Sequence, residues 1–252
     1  MSGAKPIRVG INGALGRMGR AIAAVVQESP EVELAAEVDV GFGAPAAFRE
    51  ACDVVIDFSS PAGTLAVARD LRGSKTALVI GTTGHAPAEL TELLPLAKDR
   101  PVVHAANMSV GVNVLLATVA EIAKRLGDAY DIEIVEAHHR LKKDAPSGTA
   151  LALARAVAEA TGRDLAKDAR YERHGVIGER PRREIGIQAV RAGDIVGDHT
   201  VFFVGNGERI EVIHRAHTRD TFARGAVRAA IWVAGRTPGY YSMRDVLGFS
   251  SL

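Results

Sequence analysis

The stretch IRVGINGALGRMGRAIAAVV, residues 7–26, joins a short apolar segment to a helical pattern through a turn that contains Gly13, Gly16 and Gly19. Glycine permits a tight turn, and the N–H groups and dipole of a helix start can hold a pyrophosphate there. Asp39 ends the next apolar segment, 20 residues beyond Gly19, where dinucleotide-binding folds keep the acid that binds the ribose hydroxyls. The spacing is G-x-x-G-x-x-G instead of the usual G-x-G-x-x-G, so a plain strand-to-helix turn and a surface acid are the alternatives. The combination favours a dinucleotide site.

Further apolar segments rich in β-branched residues alternate with helical periodicity through the first part of the chain. They cover residues 32–39, 52–59, 76–83 and 101–107, and a helix is predicted over 17–28. Nearly continuous apolar strands separated by helices are typical of a parallel sheet that is covered on both faces. This part of the chain therefore predicts an α/β fold with a Rossmann-like, doubly wound parallel sheet.

The pattern changes after Asn113 and indicates a second domain of α+β type. Helices are predicted over 112–126 and 147–161, and strands over 130–139, 183–193, 199–205 and 208–217. The last two strands flank Asn206-Gly207, a strong hairpin signal, and strands joined by tight turns imply a mixed or antiparallel sheet. With a last helix over 222–236, we expect a dinucleotide-binding domain of 1–109 plus 219–252 and a substrate-binding and oligomerisation domain of 110–218.

Composition narrows the class of partner. The 252 residues are 47% apolar and 24% charged, and the formal charge of +1 provides no general attraction to nucleic acid or to an anionic membrane. The partner is therefore expected to be a small molecule. Cys52 is the only cysteine, which excludes an internal disulfide and a cysteine-based metal site. The sequence shows neither a signal-peptide pattern nor an apolar run of about 18 residues, so we expect a cytoplasmic protein.

Two further predicted strands end in small polar residues. The segment GTTG covers 81–84, and AANMSVGVN covers 105–113. Because doubly wound sheets bind ligands at the carboxyl ends of their strands, both segments are expected near the nicotinamide half of a dinucleotide. Taken singly, each is equally well explained as an ordinary polar turn.

The stretch EAHHRLKKDAPSGTA, residues 136–150, carries two adjacent histidines among several cations. Neighbouring residues of a strand face opposite sides, so His138 and His139 are expected to have different roles. A metal site is disfavoured because adjacent histidines chelate poorly on a strand and the cations would repel a metal ion. The same cations are expected to lower the pKa of His138.

The helix predicted after this stretch begins at Ser147-Gly148-Thr149. Free N–H groups, the Thr149 hydroxyl and the helix dipole suit a carboxylate, and Lys142 can supply a further positive charge. A small dicarboxylate would fit such a site. The alternative is that Ser147 only caps the helix while the lysines lie in solvent.

Seven motifs together resemble the 4-hydroxy-tetrahydrodipicolinate reductase family, also called dihydrodipicolinate reductases, over essentially the whole chain. The motifs are GRMG (16–19), VIDFS (55–59), GTTG (81–84), AANMSVGVN (105–113), EAHHRLKKDAPSGTA (136–150), RAGDIVGDHTVFF (191–203) and MRDVL (243–247). The resemblance implies hydride transfer from NAD(P)H to C4 of a cyclic imine dicarboxylate, giving tetrahydrodipicolinate on the diaminopimelate route to lysine. It also implies a homotetramer assembled through the sheets of the second domain.

The resemblance assigns roles to individual residues. His138 is implied as the proton donor and Lys142 as a second proton donor that contacts the substrate. His139, Gly148 and Thr149 are implied as contacts of the substrate carboxylates. The implied dinucleotide contacts are Gly13, Ala14, Leu15, Gly16, Arg17, Met18, Asp39, Gly81, Thr82, Thr83, Ala105, Ala106, Asn107 and Met108. No metal ion is implied.

Cofactor preference is predicted from the charges near Asp39. Its carboxylate would repel the 2′-phosphate of NADPH, and Val40 and Ser60 stand where NADPH-using members of the family often have basic residues. NADH is therefore favoured, although Arg17 or Arg20 could allow both cofactors. The connection over 40–52 is shorter than in many members of the family.

Two other functions compete with this interpretation. A semialdehyde-type dehydrogenase would need a thiolate, for which Cys52 is the only cysteine and lies far from the histidines in sequence. A dinucleotide-sensing regulator would have little use for His138 and Lys142 beside an anion site, and no DNA-binding element is evident.

Overall fold

The computed structural model describes residues 5–218 and 220–249. The chain divides into two compact units, of which unit 1 comprises Met1–Val110 and Arg219–Leu252 and unit 2 comprises Gly111–Thr218. The predicted domain boundary at residue 219 lies outside the described residues.

The strands and helices of the described residues are numbered in chain order. The strands are β1 (Ile7–Asn12), β2 (Val32–Val38), β3 (Val54–Asp57), β4 (Ala77–Ile80), β5 (Pro101–His104), β6 (Asp131–His138), β7 (Ala169–Arg170), β8 (Ile185–Arg191), β9 (Gly197–Val204), β10 (Arg209–Ala216) and β11 (Gly239–Tyr241). The helices are α1 (Arg17–Glu28), α2 (Phe48–Ala51), α3 (Pro61–Asp70), α4 (Pro87–Leu93), α5 (Val110–Leu126), α6 (Gly148–Thr161), α7 (Leu165–Asp168), α8 (Asp220–Val233) and α9 (Met243–Val246).

Unit 1 is built on a parallel sheet with the strand order β2-β1-β3-β4-β5-β11. Alternate residues of a strand point to opposite faces of the sheet, and different helices cover the two faces. Val54 and Ile56 of β3 belong to a core that includes residues of α1 and α8, whereas Val55 belongs to a core with residues of α3. The predicted Rossmann-like, doubly wound sheet is confirmed. The chain order reverses between β1 and β3, and such sheets bind ligands outside the carboxyl ends of the strands at this point.

Unit 2 is a mixed sheet with the order β10-β9-β6-β8-β7, in which β6 runs antiparallel to β9 and parallel to β8. Ile132 and Ile134 of β6 face a core that includes residues of α5 and α6. The predicted hairpin between β9 and β10 is confirmed: Gly205 N–H donates to the Glu208 carbonyl at 2.9 Å, and Gly207 has a φ of 86°. This mixed sheet confirms the predicted α+β class.

Candidate active site and cofactor-binding edge

The glycine turn after β1 lies close to the backbone of neighbouring segments. Gly13 has a φ of 84°, in the left-handed region, and a Cβ added there would overlap the Phe58 carbonyl. A Cβ at Gly19 would overlap the Gly13 carbonyl and lie 2.6 Å from Ala14 Cα. The glycines thus let α1 begin directly against the turn, with Gly16 as its N-cap residue. A close-packed glycine turn at a helix start is a type of turn that suits a pyrophosphate.

Asp39 directly follows β2 and contacts this same turn. Its Oδ2 accepts a hydrogen bond from Leu15 N–H at 2.8 Å, and its Oδ1 accepts one from Val40 N–H at 2.7 Å. Val40 is 96% exposed and contributes no charge. The acid predicted to bind the ribose therefore also holds a backbone N–H of the turn.

A buried carboxylate that the sequence interpretation did not identify connects three strand ends. Asp57, at the end of β3, is fully buried and accepts hydrogen bonds from four side chains. The donors are Asn12 Nδ2 at 2.6 Å, Ser59 Oγ at 2.6 Å, Thr64 Oγ1 at 2.5 Å and Thr82 Oγ1 at 2.8 Å. Asn12 ends β1 and Thr82 follows β4. The sequence signal from which Asp57 could have been predicted is an acid at the end of the apolar run VVID.

The other predicted cofactor residues lie at the same edge of the unit 1 sheet. Residues 81–83 follow β4, and residues 105–108 follow β5, the next strand of the sheet. Gly81 packs against the Phe58 ring so closely that a Cβ would overlap it. Met108 is buried, whereas Thr83 and Leu15 are exposed. The fold thus brings the four predicted segments to one edge of the sheet.

His138 is the last residue of β6 and lies beside a buried carboxylate. Its Nδ1 is 2.6 Å from Glu136 Oε2, and its side chain is 12% exposed. The two side chains share a face of β6 because they are two residues apart. A Cβ added to Gly197 would lie 3.0 Å from His138 Nε2, so glycine at this position leaves room for the ring.

The electrostatics of His138 differ from the expectation. Burial is the largest cause of its lowered pKa, whereas the hydrogen bond and charge of Glu136 oppose the shift, and Lys142 and Arg191 lower the pKa further. The expectation that cations lower the pKa of His138 has the right sign. It names a smaller cause than burial, however, and it omits Glu136, which raises the pKa. For Glu136 itself, burial raises the pKa, yet the hydrogen bonds from Arg191, His138 and Ser147 outweigh it and the net pKa is lowered. Glu136 is thus an ionised carboxylate that accepts a hydrogen bond from His138 Nδ1–H.

The predicted substrate-binding residues lie in the turn after β6 and at the start of α6. Lys142 N–H donates to the His139 carbonyl at 3.1 Å, and Lys142 Nζ pairs with Asp144 Oδ1 at 2.9 Å. Lys143 is exposed, as is Gly148, where an added Cβ would meet nothing within 4 Å.

Ser147 caps α6, and its hydroxyl accepts a hydrogen bond from Ala150 N–H at 3.1 Å. Its backbone N–H also donates to Glu136 Oε1 at 2.9 Å. Thr149 follows in the first turn of α6 and is partly buried. Ser147 therefore caps α6, as one alternative from the sequence proposed, and in addition binds the Glu136 carboxylate.

His199 of β9 is a second buried histidine near His138 and was not predicted from the sequence. Its ring lies 5.3 Å from that of His138 in an edge-to-face arrangement, and its Nε2 is 3.1 Å from Ser147 Oγ. It is 4% exposed, and burial is the main reason why its pKa is lowered to about 4. The ring is therefore neutral near neutral pH.

This lowered pKa predicts a loss of stability in mild acid. In the unfolded chain a histidine accepts a proton near pH 6.5, whereas folded His199 resists protonation until about pH 4, so the unfolded state binds more protons between these values. The contribution of His199 to the free energy of unfolding should thus fall by about 2 kcal/mol between pH 7.5 and pH 5. Urea unfolding at both pH values should show a smaller loss for His199→Gln than for wild type, and an unchanged loss for the exposed His174→Gln. Equal losses for wild type and His199→Gln would contradict the assignment.

Among residues 5–218 and 220–249, no group of three or more His, Cys, Asp or Glu side chains is arranged to hold a metal ion. No helix in this described part is long and apolar enough to cross a membrane.

Comparison with known proteins gives consistent matches over both units. The family described as "Dihydrodipicolinate reductase, N-terminus" matches residues 7–108, and "Dihydrodipicolinate reductase, C-terminus" matches residues 111–247. The 4-hydroxy-tetrahydrodipicolinate reductase of Geotalea uraniireducens is 48% identical over 96% of this chain and 99% of its own length. That of Hahella chejuensis is 50% identical over 96% of this chain and 98% of its own length.

Among solved structures, a dipicolinate-bound dihydrodipicolinate reductase from Paenisporosarcina sp. TG-14 is similar in fold. The TM-score is 0.76 at 24% sequence identity, and the match covers 94% of this chain and 98% of the other. This likeness extends the agreement from sequence to fold.

Proposed function

The chain belongs to the dihydrodipicolinate reductase family, and on this basis we propose that it reduces 4-hydroxy-tetrahydrodipicolinate to tetrahydrodipicolinate in the diaminopimelate pathway of lysine biosynthesis. It is a nicotinamide-dependent oxidoreductase, and its substrate is a small cyclic dicarboxylate. The near full-length identity to relatives named for this reaction is the observation that carries the proposal. A biosynthetic reaction of this class suits the cytoplasm, where we place the enzyme.

The proposed proton donor is His138. A nicotinamide cofactor would supply the hydride for C4 of the substrate, and the electron density that develops in the conjugated imine would need a proton. Glu136 engages Nδ1 of His138, which leaves Nε2 as the nitrogen that can deliver this proton. The residues around the ring support this role, because Glu136 stabilises the protonated form while burial keeps the proton easily lost.

The substrate carboxylates are proposed to bind at the turn after β6 and at the start of α6. Lys142 supplies a positive charge and serves as the second proton donor, and His139 adds a polar contact. The start of α6 at Gly148 and Thr149 provides the positive end of the helix dipole, and the space around Gly148 is open. A dicarboxylate is the ligand class that this combination of charges would hold.

The glycine turn, Asp39 and the segments after β4 and β5 are proposed to hold the dinucleotide. The close-packed turn fits a pyrophosphate, and its carboxylate neighbour fits ribose hydroxyls. NADH is favoured over NADPH because Asp39, which directly follows β2, is negatively charged, and its neighbour Val40 is exposed and neutral. Ser60 is also neutral, and its hydroxyl caps α3 by accepting from Gly63 N–H at 3.1 Å.

Replacing Asp39 with serine should shift the preference towards NADPH. Removing one like charge about 4 Å from a phosphate is worth about 1 kcal/mol or more, so the ratio of kcat/KM for NADPH over NADH should rise about fivefold to tenfold. Steady-state kinetics with each cofactor measure the ratio. Glu37→Ser, which removes an exposed acid two residues earlier, is the matched control and should leave the ratio unchanged. An unchanged ratio in Asp39→Ser would remove Asp39 from the cofactor site.

A reductase assay on enzymatically made substrate tests the function itself. Turnover is expected with at least one of the two cofactors, and failure with both would favour a dinucleotide-sensing regulator. The semialdehyde dehydrogenase alternative is weakened by Cys52, which is buried and whose pKa is raised to about 11, mainly by burial. A thiol in this state is not a nucleophile at neutral pH.

A homotetramer assembled through unit 2 is proposed on the basis of exposed apolar side chains. By strand register, Val190, Val204 and Ile213 of β8, β9 and β10 lie on the sheet face opposite the buried Ile187 and Val201, and each is at least 37% exposed. An apolar sheet face of this kind typically marks an interface. Sedimentation velocity should therefore show a tetramer, and a stable monomer would contradict this assembly.

A further inference from the structure

We propose that Glu136 is a positioning residue that holds both the proton-donating ring of His138 and the start of α6 in place for catalysis. The inference rests on the proposed function, because it assigns Glu136 a task that matters only if His138 and the start of α6 do the work assigned to them. The two oxygens of one carboxylate contact the two parts: Oε2 accepts from His138 Nδ1 at 2.6 Å, and Oε1 accepts from Ser147 N–H at 2.9 Å.

The carboxylate is fully buried, and its charge is matched by a guanidinium from the adjacent strand. Arg191 Nη1 donates to Oε2 at 2.8 Å and Arg191 Nη2 donates to Oε1 at 2.7 Å, a two-point pairing that fixes the orientation of the carboxylate plane. A buried carboxylate without such partners would be costly. The four donors thus leave Glu136 charged and with a single orientation.

Arg191 also ties this carboxylate to the loop that carries Lys142. Its Nη2 donates to the Asp144 carbonyl at 2.6 Å, and Asp144 in turn pairs with Lys142. In the sheet, Arg191 of β8 lies in register with His138 of β6. Glu136 and Arg191 therefore connect His138, the loop after it and the start of α6, which are the three places where substrate contacts are proposed.

The arrangement has a chemical consequence for His138. A carboxylate that accepts a hydrogen bond from Nδ1–H selects the Nδ1-protonated tautomer of the neutral ring and stabilises the imidazolium. The charged and titratable groups that face the ring are Glu136 on its own strand, Lys142 on the following loop, Arg191 on β8 and His199 on β9. Among these four, Glu136 is the acid and thus the group that favours the protonated ring.

Glu136→Gln tests the positioning role because it keeps the size of the side chain and removes the charge. We expect kcat to fall at least about 10- to 100-fold, the loss typical when a hydrogen-bond partner of a metal-bound histidine is removed. KM for the substrate should rise because the start of α6 is less firmly held. The pKa of the acid in the profile of kcat/KM against pH should also move lower, because the charge that favoured imidazolium is gone. A purely structural role would not shift this pKa.

Glu133→Gln is the matched control. Glu133 lies on the same strand and also pairs with two arginines, Arg173 at 3.0 Å through Oε2 and Arg180 at 3.0 Å through Oε1, and it is an odd number of residues from His138. Its side chain therefore points to the other face of β6. Glu133→Gln should keep the wild-type kcat, KM and pH profile.

A measurement on the wild-type enzyme covers the case in which Glu136→Gln does not fold. Nitrogen-15 NMR of the neutral His138 ring should show the proton on Nδ1, and a proton on Nε2 would overturn the inference. In the variant, wild-type kcat, KM and pH profile would overturn it as well. Failure of the proposed function looks different, because the wild-type protein would then show no reductase turnover with either cofactor.

Discussion

Replacing His138 with glutamine is expected to lower kcat by about 10² to 10⁴-fold, the usual contribution of a general acid. Glutamine has similar polarity and reach but has no proton to give near neutral pH. The affinity for a dicarboxylate should stay close to that of wild type, because the proposed carboxylate contacts lie at Lys142, His139 and the start of α6. Steady-state kinetics and direct binding of dipicolinate, the ligand in the solved Paenisporosarcina structure, measure the two quantities separately.

His174→Gln is the control for this substitution. His174 also belongs to unit 2 but is exposed and lies in the segment between β7 and β8. It should retain wild-type turnover and binding. Undiminished turnover in His138→Gln would show that the proton comes from another group.

Removal of the Lys142 charge by alanine is expected to lower kcat/KM about 10- to 150-fold, which corresponds to the 1.5–3 kcal/mol typical of a hydrogen bond to a charged group. Both kcat and KM should change, because Lys142 is proposed to bind a carboxylate and to act as the second proton donor. In the structure its side chain is 21% exposed and Nζ already pairs with a carboxylate, that of Asp144. The substrate is expected to compete for this charge.

Lys143→Ala is a closely matched control, because the two lysines are adjacent and differ mainly in exposure. We expect Lys143→Ala to change kcat/KM by less than about twofold, in line with the small energies of exposed charges. Equal effects of the two substitutions would mean that the loop contributes only general positive charge. An effect confined to KM would remove the proton-donor role and leave the binding role.

Most of the fold was predictable because its main elements are long or strongly patterned. The turn after β1, α1 and the β9–β10 hairpin all have local signals in glycine, asparagine and apolar periodicity. β11 is different, since no strand was predicted after the last helix and β11 has only three residues. It is a strand because Tyr240 and Tyr241 pair with Val102 and Val103 of β5, a partner far away in sequence.

The candidate site was predictable only where its residues are close together in sequence. His138, His139, Lys142 and the start of α6 fall within one stretch. Arg191 lies 55 positions from Glu136, and His199 lies 52 positions from Ser147, so their contacts depend on how the strands align.

Glu136 is a different case, because its two-residue spacing from His138 was visible in the sequence. On a strand this spacing places the two side chains on one face. The expectation for the His138 pKa rested on the neighbouring cations alone, so it named a lesser cause of the shift.

The Asp57 hydrogen-bond cluster limits which positions can be changed to redesign the cofactor preference of this enzyme. Asn12 and Thr82 both donate to the buried Asp57 carboxylate. A substitution at either residue therefore changes the hydrogen bonding of the carboxylate that holds the other. Substitutions at these positions are expected to combine non-additively. The side chains of Leu15 and Val40 are exposed and lie outside the Asp57 cluster. A mutant library for cofactor preference can therefore vary these two positions without disturbing the cluster.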